Sequence, residues 1–388
     1  KGCSSLEKIE MPDSVAYIGK GTFTDCKKLK DINLSKNLTK MGYAVFTNCV
    51  SIEEIEIPKS LQSIDYYSFG YTYNRDDGIF TGCTGLKTVR FEEGITTIPD
   101  CLFKNCPEIE KIEIPDTVTK IDAAAFAFCE KITDIKLSSA LTSIGDEVFK
   151  GCSSLEKIEM PDSVTYIGKG TFTDCKKLKD INLSKKLTKM GYAVFTNCVS
   201  IEEIEIPKSL QSIDYLYSYT SDKNDGIFAG CTSLKTVQFE EGIVLIPDCL
   251  FKSCPGIEKI EIPDTVTKID AAAFAFCDNL QEVSIPDSVE EIGNNVFDSC
   301  ISLKEVNLPD TLGSMGTYIF SNCTALTKIH IPEIRQNITE GTFYNCTSLK
   351  EINIPQTVTA IRKKAFYNCD SLENMAFSEN TKTIEEYA

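Results

Sequence analysis

The stretch C-S-S-L-E-K-I-E-M-P-D-S-V-T-Y-I-G-K-G-T-F-T-D-C, from Cys152 to Cys175, decides the fold of this chain. Its two cysteines are 23 residues apart, and the unit recurs along almost all of the 388 residues. Two intervals, 49–83 and 198–231, are longer than the others and therefore carry insertions. A fixed period of this length is typical of a solenoid, in which each coil packs only on its neighbours. The cysteines that share this phase are Cys3, Cys26, Cys49, Cys83, Cys106, Cys129, Cys152, Cys175, Cys198, Cys231, Cys254, Cys277, Cys300, Cys323, Cys346 and Cys369.

The order of residues within a unit predicts the shape of one coil. Apolar and polar residues alternate in the first segment, as in 6–11, which predicts a short strand with one buried face. Proline then turns the chain in most coils, and a second apolar pair, Val164 and Ile167, predicts an extended piece. Phe172 and Cys175 are three residues apart, a spacing that predicts one buried turn of α- or 3₁₀-helix. We expect sixteen parallel strands, the last at 372–377.

The outward positions of these strands form two charged columns. In one column the sign alternates from coil to coil, and we expect cross-strand attraction worth a few tenths of a kcal/mol for each pair. The pattern fits either a solvated charged face or a face that binds a ligand. The alternating residues are Lys111, Asp134, Lys157 and Asp180.

A larger repeat lies over the small one. Residues 1–65 recur at 150–214 with two differences, and 79–129 recur at 227–277 with seven. We therefore expect one solenoid over 1–388, with blocks 1–149 and 150–297 related by tandem duplication. Both ends fall inside a repeat, so we expect a piece of a longer protein.

Composition excludes several classes of partner. The net charge of −17 argues against nucleic acid and against anionic membrane surfaces, which both need a basic protein face. No apolar run approaches the roughly 20 residues that span a bilayer, and no signal peptide is evident. We expect a monomer with no membrane insertion in this segment.

One cysteine per coil predicts a stacked column of buried free thiols, which fill the core as small apolar groups. A disulfide ladder is the alternative. However, the Cβ atoms of stacked residues would keep the spacing of the strands, which is longer than the Cβ–Cβ distance usual in a disulfide. Zinc is disfavoured because no C-x₂-C pair exists and the chain has a single histidine, His330. Cys101 and Cys249 are out of phase and align with Ala124; we expect partial burial, with an intermolecular disulfide as the alternative.

The two insertions, 65–78 and 214–226, are the segments outside the period. Both are rich in tyrosine, which offers large contact area at low entropic cost. They either contact a partner or fold back on the coil. The stretch 222–226 faintly resembles a calcium loop, but the later bidentate acid is missing, so we predict no metal. The candidate partner-binding residues are Tyr66, Tyr67, Phe69, Tyr71, Tyr73, Arg75, Tyr215, Tyr217, Tyr219 and Lys223.

The sequence does not predict an enzyme. It contains no G-x-S-x-G, phosphate-binding glycine loop or H-E-x-x-H motif. His330 would be the one histidine base available, and its phase places it on the solvated strand face. Carboxylates are frequent but lie in exposed columns, where nothing separates their pKa values. We predict neither catalytic residues nor a cofactor.

The motif C-x-x-L-x-x-I-x-I-P-x-x-V-x-x-I-G-x-x-x-F-x-x-C, seen at 277–300, resembles the BspA-like leucine-rich repeats. This resemblance implies an α/β leucine-rich-repeat solenoid, a horseshoe with parallel β-strands on the concave face and short helical or 3₁₀ turns and extended segments on the convex side. It also implies an extracellular or cell-surface protein that adheres to a protein or glycan ligand on host or neighbouring cells. The alternative function is a structural stalk that projects another domain.

Overall fold

Two short parallel strands form in most coils, one in the segment where apolar and polar residues alternate and one in the predicted extended piece. The structure is a computed structural model, and it describes residues 1–65, 78–214, 225–333 and 337–388. Contacts between Cα atoms divide the chain into two units, Lys1–Ser200 and Ile201–Ala388. Each unit is a parallel-strand solenoid, as the repeat predicts.

The strands of the first unit are β1 Lys8–Glu10, β2 Tyr17–Ile18, β3 Asp31–Asn33, β4 Lys40–Gly42, β5 Glu54–Ile57, β6 Ser63–Asp65, β7 Thr88–Phe91, β8 Thr97–Ile98, β9 Lys111–Glu113, β10 Lys120–Ile121, β11 Ser143–Ile144, β12 Lys157–Glu159, β13 Tyr166–Ile167, β14 Asp180–Asn182 and β15 Lys189–Gly191.

The strands of the second unit are β16 Glu203–Ile206, β17 Ser212–Asp214, β18 Thr236–Phe239, β19 Leu245–Ile246, β20 Lys259–Glu261, β21 Lys268–Ile269, β22 Glu282–Ser284, β23 Glu291–Ile292, β24 Glu305–Asn307, β25 Ser314–Met315, β26 Lys328–His330, β27 Glu351–Asn353, β28 Ala360–Ile361, β29 Asn374–Ala376 and β30 Thr383–Ile384.

Paired strands are in register, with a step of one repeat between partners, and the strands of the alternating segments form several short sheets. In the first ladder, which contains β12 and β14, Lys157 lies opposite Asp180 and Glu159 lies opposite Asn182. The predicted extended piece also pairs, and it forms a second ladder in which β10, β11, β13 and β15 follow one another. Because the step equals the repeat, the same face of each strand stays buried from coil to coil.

One predicted strand of the first ladder is missing. Residues 134–136 have the expected phase, and Ile135 is buried at 4% exposure, but this segment pairs with neither β9 nor β12. The alternation of apolar and polar residues directs Ile135 into the core, but it does not determine whether the backbone pairs with its neighbours. The residue pattern therefore could not predict this interruption of the ladder. The corresponding segment of the next block, β22, pairs on both sides.

The predicted helical or 3₁₀ turn at the phenylalanine and cysteine is wrong: none of the described segments of this kind is helical. Between Gly170 and Cys175, alternate N–H groups leave the coil. Those of Gly170, Phe172 and Asp174 donate to carbonyl groups of the next coil at 2.8–2.9 Å, and those at 173 and 175 close local turns. An α-helix would direct all of these donors back along its own axis.

Backbone conformation explains why this alternation is possible. Gly170 and Asp174 have positive φ angles of 61° and 63°, a left-handed conformation that interrupts any right-handed helix. The pair recurs four residues apart in most coils, and asparagine, aspartate or glycine often occupies the second place because these residues tolerate the conformation. A spacing rule based on side-chain burial does not detect this feature.

The core is built from columns of identical side chains. Phenylalanine rings from Phe23 to Phe195 stack with centroids 5.1–5.9 Å apart, and rings from Phe228 to Phe366 stack in the second unit at 5.3–5.8 Å. The cysteines lie beside them. No coil could bury these rings alone, so each coil depends on its neighbours for its stability.

Candidate binding surface

The ten candidate residues of the two insertions lie outside the described residues, at 66–77 and 215–224. The structure does show where the insertions leave and rejoin the coils. The first leaves at Asp65, the end of β6, and the second leaves at Asp214, the end of β17. They return at Gly78 and at Asp225. The contact role of their side chains stays a prediction.

Each insertion returns through a glycine that packs against the following coil. A Cβ atom on Gly78 would lie 2.6 Å from the carbonyl oxygen of Lys104, and one on Gly226 would overlap the carbonyl oxygen of Lys252. Real Cβ atoms do not approach backbone oxygen so closely, so a side chain at either point would push the two coils apart. The return points are therefore fixed against the coil that bears these lysines.

A buried ion pair lies at the return of the second insertion. The ammonium of Lys252, whose side chain is 0% exposed, is 2.7 Å from Oδ1 of Asp225. The ring of Phe276 lies 5.9 Å from the same nitrogen. A buried ammonium needs such a partner, since desolvation of an unpaired charge costs several kcal/mol. This pair anchors the end of the insertion to the solenoid.

Sequence reasoning missed this anchor. Lys104 has the equivalent place in the first unit and is also buried, at 2% exposure. Lys150 has the same phase in its coil but stays half-buried beside Glu147. Among the residues that the structure describes, the buried lysines are these two, and each follows a coil with an insertion. That association is the one signal in the sequence that could have identified them.

The outward face of the first ladder is exposed and charged, as predicted. Its ion pairs, however, form mainly along a strand rather than between strands: Lys111 pairs with Glu113 at 2.5 Å and Lys157 with Glu159 at 2.6 Å. Side chains at i and i+2 share a face, and the long lysine reaches the glutamate. Pairs between coils also occur, such as Arg90 with Glu54 at 3.5 Å.

An open groove of about 660 Å³ lies on this face at the ladder interruption. Its lining is partly charged and partly apolar, and it lies where 134–136 does not pair with the adjacent strands. It is lined by Asp134, Ile135, Lys136, Leu137, Ser139, Lys157, Glu159, Met160, Pro161, Asp162 and Asn182.

The cysteine column consists of free thiols, as predicted. Cys3 is exposed and Cys369 is half-buried, and the others are buried. Burial raises the pKa of Cys152 to about 12 and that of Cys175 well above its usual value. A thiol that stays protonated at neutral pH is a poor nucleophile and a poor metal ligand, so this column is structural.

The two cysteines outside the column are more buried than predicted. Cys101 is 0% exposed and packs against Ala124 and Ala127, and Cys249 is 5% exposed in the matching cluster. Their alignment with Ala124 is confirmed, since Cys101 and Ala124 have φ angles of 51° and 53°. Burial argues against an intermolecular disulfide at these sites.

His330 lies on the solvated strand face, as predicted, with its side chain 62% exposed and Nε2 3.7 Å from Oδ1 of Asp310. Within the described ranges, no group of three or more acidic, histidine or cysteine side chains could hold a metal ion. The same ranges contain no helix long and apolar enough to cross a membrane.

Two solved structures are reported as similar to this chain, and the first of them supports the fold. A leucine-rich repeat protein from Bacteroides ovatus matches with a TM-score of 0.64 and 25% identity, covering 98% of this chain and 84% of the other. A leucine-rich cell surface protein from Faecalibacterium prausnitzii matches with a TM-score of 0.47 and 26% identity, covering 87% and 82%. No curated protein is significantly similar in sequence to this chain.

The family comparison covers the whole sequence. The model of the BspA type leucine-rich repeat region matches residues 1–99, 76–155, 142–225, 224–327 and 267–388. These matches include the coils of both units and agree with the stacked ladders and the phenylalanine and cysteine columns. The chain belongs to the BspA-type leucine-rich repeat family.

Proposed function

We propose that this chain is the interaction segment of a secreted or cell-surface protein that adheres to a protein or glycan ligand on host or neighbouring cells. The family and the fold supply a scaffold of the kind that offers extended binding faces. The resemblance to BspA-like proteins supports the extracellular location. No catalytic role is proposed for any residue.

One observation carries this proposal furthest: the chain interrupts its repeat twice at equivalent places, and it fixes the end of the second interruption with the buried Lys252–Asp225 pair. A segment with a fixed base can hold its contact groups in a restricted region, which lowers the entropic cost of binding. We therefore assign ligand contact to the tyrosines, Phe69, Arg75 and Lys223 of the insertions.

The proposal is tested by a binding screen against host matrix proteins and glycans. We expect at least one ligand to bind the folded chain saturably. The matched control is a variant in which 66–77 and 215–224 are shortened until both long intervals equal the ordinary repeat. Loss of binding in this variant supports the assignment, and a folded, monomeric sample that binds nothing contradicts the adhesion function.

A further inference from the structure

In one part of the first unit, the charges read in one coil order are opposite to the charges read in the reverse order. We call this part the alternating-charge face, and each of its side chains is exposed. Its last two strands, β12 and β14, pair in parallel, with Lys157 opposite Asp180 and Glu159 opposite Asn182. Lys157 also lies near enough to Asp134 and Asp180 for both carboxylates to raise its pKa, after the larger effect of Glu159. The face consists of Lys111, Glu113, Asp134, Lys136, Lys157, Glu159, Asp180 and Asn182.

Consider a two-fold axis that lies parallel to the strands and passes between the coils of Asp134 and Lys157. This operation keeps the strand direction and reverses the order of coils, so each column faces itself in reverse. Lys111 then faces Asp180 of the second copy, and Asp134 faces Lys157 of the second copy. Every contact in this column joins opposite charges, and symmetry makes each contact twice.

The neighbouring column obeys the same rule. Lys136 faces Glu159 of the second copy, and Glu113 faces the neutral Asn182. The within-strand pair of Lys157 and Glu159, at 2.6 Å, would join this arrangement as part of a network of charges. No like charges oppose each other in either column.

The groove lies at the centre of this arrangement. Its lining includes Asp134, Lys136, Lys157 and Glu159, which are the four residues nearest the axis. The face has a depression of about 660 Å³ there, at the segment 134–136 that does not pair with its neighbours, with room for side chains of a facing copy.

The second unit provides a natural contrast. The corresponding column reads Lys259, Glu282, Glu305 and Lys328, and its strands are in register. The same two-fold operation would place Lys259 against Lys328 and Glu282 against Glu305. That face repels itself, so self-complementarity is not a general property of the repeat.

We propose that the alternating-charge face docks on the same face of a second copy of this chain, about a two-fold axis parallel to the strands. Four coils about 4.8 Å apart and strands about 10 Å long give on the order of 200–300 Å² for each partner, less than the roughly 800 Å² of a stable interface. The dimer is therefore weak and electrostatic, with a Kd on the order of 0.1–1 mM. The chain is a monomer in dilute solution.

This geometry suits contact between opposing surfaces. The two copies run in opposite directions along the coil axis, as molecules displayed on two facing cells would. Many weak contacts then act together through high effective concentration. Self-association in solution depends neither on that location nor on the insertions. The self-association test can therefore fail while binding of the ligand proposed above is confirmed, and ligand binding can fail while self-association is confirmed.

A charge exchange tests the proposal. The acidic variant carries Lys136→Glu and Lys157→Glu, and the basic variant carries Asp134→Lys and Glu159→Lys. Each variant alone places four like-charge contacts across the axis, whereas a mixture of the two restores four opposite-charge contacts. Sedimentation velocity at low salt and aggregation of protein-coated beads measure the association.

We expect the unmodified chain to self-associate, each variant alone to lose at least about tenfold in affinity, and the mixture to regain it. Salt at about 1 M, where the Debye length is about 3 Å, should abolish all association. The control variant carries Lys259→Glu and Lys328→Glu in the second unit and should behave as the unmodified chain. Absence of self-association, equal loss in the control, or a mixture that stays monomeric would overturn the proposal.

Discussion

The thiol of Cys175 donates a hydrogen bond of 3.1 Å to the backbone carbonyl of Phe149, in the preceding coil. The same carbonyl accepts the backbone N–H of Cys152 at 3.0 Å within its own coil. Each cysteine thus joins two coils while filling space beside the phenylalanine column. The bond recurs from Cys49 to Phe23 and from Cys323 to Phe297, which gives the cysteine at this phase a physical role that alanine could not supply.

Replacement of a column cysteine should therefore destabilise the solenoid. Cys175→Ala removes a buried sulfur and its weak hydrogen bond, and we expect a loss of about 1–2 kcal/mol, measured by urea denaturation. Cys3 is exposed, so Cys3→Ala should change stability by less than about 0.5 kcal/mol. Equal effects of the two substitutions would show that the bond and the packing contribute nothing.

Thiol labelling should separate the exposed from the buried cysteines. In the native chain we expect rapid alkylation of Cys3, slower alkylation of Cys369 and little reaction elsewhere, because burial raises the pKa of column thiols such as Cys277, to about 12. Denaturant should expose all 18 cysteines. Mass spectrometry of the labelled peptides provides the measurement, and native labelling of most column positions would contradict the buried column.

Asp100 should make stability depend on pH in an unusual direction. Burial and the nearby Asp122 raise the pKa of its carboxyl, so folding favours the neutral form. The destabilising effect is full at neutral pH and disappears as pH falls through the raised folded pKa towards the ordinary value of 3.8. Asp100→Asn should raise the urea midpoint at pH 7 and have less effect near pH 4.

Asparagine is the matched replacement because another coil has an asparagine that makes the same hydrogen bond. Oδ1 of Asp100 accepts the N–H of Ala123 at 2.7 Å, and Oδ1 of Asn294 accepts the N–H of Thr317 at 2.8 Å. The amide therefore keeps the hydrogen bond and removes the charge. A lower midpoint at pH 7 for Asp100→Asn would contradict the assigned repulsion.

The buried anchor should be sensitive to the loss of one partner. Lys252→Met leaves the Asp225 carboxylate without this cation, and we expect a cost of about 3 kcal/mol. The double variant Lys252→Met/Asp225→Leu should recover much of it, since apolar replacement of both charges is often tolerated. Hydrogen exchange near Asp225 measures the local effect, and additive losses in the double variant would disprove the coupling.

Two glycines of the duplicated block offer a matched pair. Gly2 and Gly151 have φ angles of 71° and 72°. A Cβ on Gly151 would lie 2.5 Å from Cδ1 of Phe128, whereas one on Gly2 would meet nothing within 4 Å. Gly151→Ala should cost about 2 kcal/mol or more and Gly2→Ala about 1 kcal/mol or less; thermal unfolding would show the difference, and equal costs would contradict it.

The cysteine-to-cysteine period was enough to predict the solenoid, the inward residues and the buried thiols, because burial in a stack depends on phase. It could not predict the turns between Gly170 and Cys175, where alternate N–H donors leave the coil and φ becomes positive. Nor could it predict the unpaired segment 134–136, whose residues have the right alternation, or the burial of Lys252, which depends on the insertion in the preceding coil.

Exchange of the insertions for plain coils, followed by measurement of the adhesion of beads coated with this chain to host or neighbouring cells, tests the binding role of the insertions most directly. Each long interval would be shortened to the length of the ordinary repeat, with circular dichroism and urea denaturation to confirm that the ladders persist. We expect adhesion to fall to background while the fold is retained. Unchanged adhesion would contradict that role, and absence of adhesion by the unmodified chain would favour the structural stalk.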